Sequence, residues 1–189
     1  MRSIGPETFV NSGYTPPSFY ERELARGTQI VNMDTNGNVI CGQDGVRRIA
    51  TFGLCGCTAV ASVLERADGQ RRGYIQHYSF RNEDVGVQAL AEELRANAQG
   101  IRVARLLVMT PGRMGPSGRF PLEPTNGTLA NTLALTGSTY LGEQADVQIY
   151  AYEEAQKFGA TDQGTLMIEL PSEGVANIVA DGRLIRPVA

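Results

Sequence analysis

Cys57 and His77 are the residues whose types and spacing invite covalent chemistry. Cys57 closes the stretch Phe52-Gly53-Leu54-Cys55-Gly56-Cys57 and leads into the apolar run Thr58 to Leu64, and His77 is the only histidine among 189 residues. A cysteine attacks as the thiolate, and its ordinary pKa of about 8.5 leaves only a small ionised fraction at neutral pH, so a base must take the proton. His77 is the one imidazole available. Gly53 and Gly56 let the backbone turn sharply and offer amide N–H groups to a developing oxyanion, with Cys55 beside them. Attack on an amide carbon, departure of ammonia or an amine with a proton from imidazolium, and hydrolysis of the thioester form the corresponding reaction sequence.

Other readings of the same residues stay open at this level. Cys55 and Cys57, two apart, can both fill one core face of a strand, because free cysteine is among the most buried residue types. They can equally act as a thiol-exchange pair or form a strained bond with each other. A metal site is the poorest of these, since one histidine and the distant Cys41 make a weak four-ligand set. Thr51 reads first as a strand residue, since threonine is common in strands for its shape alone.

The elements that must position these residues are mostly strands. Ser18 is placed to cap a helical turn, Phe19 to Arg26, that Gly27 ends. Gln29 to Met33, Val39 to Cys41 and Val46 to Phe52 read as strands joined by turns at Asn36-Gly37 and Asp44-Gly45, which predicts a meander of two hairpins. Thr58 to Leu64 and Tyr74 to Phe80 predict a third hairpin around Asp68-Gly69. A regular two-residue turn there would put His77 on the opposite face of the sheet from Cys57, whereas a bulge or a three- or five-residue loop would restore the same face. Val87, Leu90, Ala91, Leu94 and Ala98 carry helical spacing, with Asn82 or Asp84 as cap and Gly100 beyond the end. Ile101 to Met109 reads as a buried strand. Gly112, Gly115 and Gly118 behind it read as a surface loop, because a phosphate loop's Gly-Lys-Ser/Thr ending is absent. A second helix is expected near Thr128 to Leu135, then strands at Val147 to Tyr152, Thr165 to Leu170, Val175 to Val179 and Leu184 to Arg186, with a hairpin turn at Asp181-Gly182.

This order predicts an α/β chain of the α+β type, with mainly antiparallel β-sheets or a β-sandwich and flanking helices. An irregular arm over residues 1–19 would precede a single catalytic domain over 20–189. A net charge of −3 and a pI near 5.3 argue against a nucleic acid as partner, since phosphate binding needs clustered excess Lys and Arg. No apolar run approaches the ~20 residues that span a bilayer, and the first residues lack the apolar centre of a signal peptide. A cytoplasmic protein is therefore expected, with secretion by a signal-less route into another cell left open.

The residues Thr51, Gly53, Leu54 and Cys57, in the arrangement Thr-x-Gly-Leu-x-x-Cys before a small and β-branched run, resemble the active-site segment of the CheD family of chemoreceptor glutamine deamidases. Leu54, Gly56 and Cys57 are also similar to the Leu-Ser-Gly-Cys signature of the catalytic domain of cytotoxic necrotizing factor and related bacterial toxins, with Cys55 in place of the serine. The resemblance spans Thr51 to Phe80. It implies a glutamine deamidase with Cys57 as nucleophile, His77 as base and then acid, and Thr51 orienting the imidazole. It further implies a protein substrate carrying a reactive glutamine, no cofactor, and transglutamination as a side activity. A non-catalytic interaction module of the same fold is the alternative.

Overall fold

The computed structural model describes residues 18–41, 45–113, 123–143, 145–153 and 162–187. Two sheets lie face to face. One has the order β1-β3-β9-β10-β11, formed by Gln29–Ile30, Arg47–Thr51, Leu166–Leu170, Asn177–Ala180 and Arg183–Ile185. The other runs β2-β5-β4-β6-β7, formed by Thr35–Cys41, Arg71–Tyr78, Thr58–Arg66, Ile101–Arg113 and Glu123–Pro124, with β8 (Asp146–Tyr152) parallel to β6. Between them lies a core built from alternate residues of each strand, including Ile49, Ala59, Ala61, Val63, Ile75, Met109, Leu166 and Ile168. The intervening residues of the second sheet, Val60, Leu64, Tyr74, Leu106 and Val108, turn the other way onto helices α2 (Glu83–Asn97) and α3 (Gly127–Leu141). Helix α1 (Phe19–Ala25) covers the outer face of the first sheet, where Phe19 packs with Ala50 and Met167. The period-two alternation of strands thus yields a sandwich flanked by helices, as the sequence predicts.

Helix α1 begins and ends as its residues dictate. Ser18 and Glu21 form a reciprocal capping box, and Gly27 takes a φ of 73° just past the end. Asn82 occupies the cap position of α2 without a side-chain hydrogen bond to the helix. The Asp181-Gly182 turn joins β10 to β11 with φ values of 50° and 70°, the left-handed pair of a tight hairpin. Helix α3 and strand β6 both run further than their sequence patterns suggested. Of the glycine segment behind β6, Gly112 is strand, and Gly115, Pro116 and Gly118 lie outside the described residues, as do residues 1–17 of the expected arm over 1–19, whose last two residues, Ser18 and Phe19, instead cap and begin α1.

The meander does not form. Asn36-Gly37 is not a turn; both residues sit inside β2, which pairs with β5 over seven positions. Gly37 is there for space, since a Cβ would stand 2.7 Å from Gln29 Nε2 and 3.1 Å from Val31 Cγ2. The chain turns earlier, at Asp34 with φ 60°, and crosses to the second sheet, leaving β1 and β3 paired in parallel in the first. A distant strand offering a full ladder outcompeted a local hairpin signal.

The loop between β3 and β4 is pinned through Leu54, fully buried, whose N–H donates to Gly164 O at 3.1 Å. Gly164 has φ 65°, and a Cβ there would lie 2.8 Å from Leu54 O. Gly164→Ala is predicted to cost about 2–4 kcal/mol by adding a backbone clash to left-handed strain. Gly53→Ala, with φ 73° and nothing within 4 Å, should cost about 1–2 kcal/mol. Urea melts of the two variants check the difference, and equal costs would refute the close approach.

Candidate active site

Cys57 lies at the mouth of the inter-sheet layer, one residue before β4. The stretch leading to it places Gly53 and Gly56 at φ 73° and 76°, either side of the Leu54 anchor. This geometry separates the two thiols: Cys55 is exposed and Cys57 is 6% exposed, so they do not share a core face. All three cysteines, Cys41 included, are free thiols. The Cys57 carbonyl accepts a hydrogen bond from the buried Tyr152 hydroxyl at 2.8 Å, which fixes the backbone at Cys57. Among the described residues, no hydrogen bond is donated by the amides of Cys55, Gly56 or Cys57. Those N–H groups are free to meet an incoming oxyanion.

His77 reaches the same face because the β4–β5 turn is a three-residue loop. Arg66 N–H donates to Gln70 O and Gly69 N–H to Arg66 O, with Gly69 at φ 84°. The register that follows sets His77 opposite Ala59, and Cys57, two residues before Ala59, shares its side. Cys57 packs in the same inter-sheet cluster as Ala59, the residue opposite His77.

Thr51 comes from the other sheet. Its hydroxyl lies 2.8 Å from both Val31 O and His77 Nδ1. A carbonyl only accepts, so the arrangement that satisfies all three groups has Thr51 donating to Val31 O and His77 Nδ1–H donating to Thr51 Oγ1. That assignment leaves Nε2 as the unprotonated nitrogen. Nε2 is buried and has no hydrogen-bond partner. Burial, opposed by the nearby Asp34 carboxylate, pushes the imidazole pKa down to about 4. His77 is neutral at physiological pH, with its basic lone pair buried and without a partner among the described residues.

The thiol is not hydrogen-bonded to that nitrogen. Cys57 Sγ contacts Met33 Sδ at 3.8 Å and Cys55 O at 3.9 Å. Burial first, then the charges of Asp34 and Cys55, raise its pKa against the lowering effect of the Cys55 backbone. The resting pair is therefore thiol and neutral imidazole. Chemistry at this site would begin with rotation of Sγ away from these two weak contacts, and the proton would move to Nε2 as sulfur attacks.

Three residues of the site carry no sequence signal. Tyr152 is 95 positions from Cys57, Met33 reads as an ordinary strand end, and Asp34 reads as loop. Asp34 O δ1 accepts from Ser79 N–H and Oγ–H at 2.9 and 2.8 Å, and Asp34 N–H donates to His77 O at 2.6 Å. The Ser79 and Asn82 hydrogen bonds hold the Asp34 carboxyl below the usual range, so it stays charged beside His77. Among the described residues no three His, Cys, Asp or Glu side chains converge as metal ligands. No helix among them is long and apolar enough to cross a membrane.

His77 also sets a pH dependence. Its folded pKa of about 4 lies below the ordinary 6.5, so the unfolded chain takes up the proton first as pH falls. The stability tied to its neutral form is complete above about pH 6.5 and is lost progressively down to about pH 4. Relative to His77→Gln, the wild type should lose about 2 kcal/mol between pH 7 and pH 4.5, read from urea melts at both values. A stability difference that does not move with pH would refute the buried neutral imidazole.

Comparison with known proteins adds no relative to this arrangement: no family model matches the chain, and no curated protein matches it.

Proposed function

We propose that this chain is a cysteine-dependent amidase that converts a glutamine side chain of a protein substrate to glutamate and releases ammonia. The observation that carries the reading is the buried, unpartnered His77 Nε2, held in its basic tautomer by Thr51 on the face it shares with Cys57. An orphaned buried nitrogen costs about 1–3 kcal/mol and calls for a use. Cys57 Sγ attacks the amide carbon while its proton passes to Nε2, forming the carbon–sulfur bond and an oxyanion that faces the amides of Cys55, Gly56 and Cys57. Collapse breaks the carbon–nitrogen bond, and Nε2–H protonates the departing ammonia. Water then gives a proton to Nε2 while its oxygen attacks the thioester carbon; collapse breaks the carbon–sulfur bond, and Nε2–H returns the proton to sulfur, leaving glutamate and the thiol. An amine in place of that water would transglutaminate the substrate. The charged Asp34 favours the transient imidazolium in both halves.

A second reading, a non-catalytic interaction module, draws on one observation: the thiol is turned to Met33 and its pKa is raised. Activity separates the two. Ammonia release from a blocked glutamine dipeptide or a glutamine-bearing protein should vanish in Cys57→Ser and His77→Ala and persist in Cys55→Ser. Full activity in Cys57→Ser would sink the amidase reading. Thr51→Val, which removes the tautomer lock, should lower kcat about 10- to 100-fold with little change in KM. It should also shift the kcat pH profile, a readout that mere loss of packing would not move.

A further inference from the structure

Among the described residues, strand β2 is the long, uncharged edge beside the candidate site. There it closes one end of the second sheet and pairs with β5 alone. Its sequence, Thr35-Asn36-Gly37-Asn38-Val39-Ile40-Cys41, has no charge, proline or bulge to deter a further strand. The other edges are blunted. β1 has two residues, β11 has three and carries Arg183, β7 has two and ends in Pro124, and β8 carries Asp146 with Gln148 tied to Arg186 O.

The ladder says which groups of β2 are unspent. Arg66 N–H bonds Gln70 O, so by period two the pairs at Leu64–Arg72, Ser62–Tyr74 and Val60–Gln76 turn their backbone groups to each other. Residues 71, 73, 75 and 77 of β5 then serve β2 through Cys41, Val39, Gly37 and Thr35. Asn36, Asn38 and Ile40 direct N–H and C=O outward, and no partner takes them among the described residues. Their side chains share the face of Tyr74 and Gln76, toward α2.

On that side an open groove of about 460 Å³ runs between β2 and α2, lined by Asn36, Arg72, Tyr74, Glu92, Glu93 and Asn97. Arg72 is spent on Glu93 at 2.5 and 2.9 Å. Glu92 has no ion pair among the described residues, so the groove is net negative. At the other end, Met33, two residues before β2, touches the Cys57 thiol.

We propose that β2 binds an extended segment of the protein substrate as an added antiparallel or parallel strand. Its outward ladder at Asn36, Asn38 and Ile40 supplies the backbone bonds, and a lysine or arginine of the segment enters the groove beside Glu92. The substrate's chain then continues past Met33 and delivers its glutamine to Cys57. The last step rests on the amidase reading; the docking itself does not.

The test uses the Cys57→Ser chain and a terminally blocked nonapeptide alternating threonine and valine, with lysine at a central threonine position. By NMR, hydrogen exchange at the amides of Asn36, Asn38 and Ile40 should slow at least about tenfold at saturating peptide. Glutamate in place of the lysine should weaken binding about tenfold or more, and N-methylation of the peptide's pairing amides should abolish it. Asn38→Pro removes an outward N–H without touching the β5 pairing. It should lose the peptide yet still release ammonia from a blocked glutamine dipeptide when Cys57 is intact. Absence of protection on β2, equal binding of the glutamate peptide, or protection that grows with protein concentration alone, the sign of a second copy on this edge, would each overturn the proposal. A peptide that docks as described, with no ammonia released from any glutamine substrate by the wild type, would retain the docking surface and discard the amidase reading.

Discussion

The hydroxyl of Thr51 joins the two sheets at the buried imidazole of His77. Thr51 ends β3 in one sheet, His77 lies near the end of β5 in the other, and the hydroxyl meets His77 Nδ1 and Val31 O at 2.8 Å each. A single neutral hydrogen bond contributes only about 1 kcal/mol, but removing this hydroxyl would orphan two buried polar groups at about 1–3 kcal/mol each. The contact thus fixes the spacing of the sandwich at this end and the protonation pattern of the imidazole at once. Packing and proton placement depend on the same atom.

The register of the β4–β5 hairpin is the second constraint. Side chains alternate with period two, so a loop shorter by one residue would have set His77 opposite Val60 and sent it to the α2 side, away from Thr51. Ala67-Asp68-Gly69 avoids that through a left-handed Gly69 and an Asp68 carboxylate that accepts from Gln70 N–H at 3.0 Å. The two catalytic candidates owe their common face to a turn ten residues from either.

This turn also marks the limit of what the sequence discloses. The strands and helices were legible wherever period two or 3.6 was sustained, as in Thr58 to Leu64 and Val87 to Ala98, and so was the sandwich with flanking helices. Asn36-Gly37 misled because its dipeptide signal is local, whereas β2 found a seven-residue partner in β5. Cys57, His77, Thr51 and the two loop glycines stood out by type and spacing. Tyr152, Asp34 and Met33 did not, because a hydroxyl, a carboxylate and a thioether reach this site from distant or irregular segments that no local pattern ties to Cys57.

The proton inventory limits how such a site would work. A preformed thiolate–imidazolium pair needs an environment that favours both charges, yet burial lowers the imidazole's pKa to about 4 and raises that of the thiol. Separating charge in the resting site is therefore unfavourable, and the charges would have to arise together as sulfur attacks. Asp34 acts on both groups with opposite effect: it favours the imidazolium and disfavours the thiolate. It would help only once the negative charge has moved off sulfur and onto the substrate oxygen. There the amides of Cys55, Gly56 and Cys57 would take it over. The Asp34 charge, which adds less than burial does to the raised thiol pKa, would then favour the tetrahedral state over the resting one.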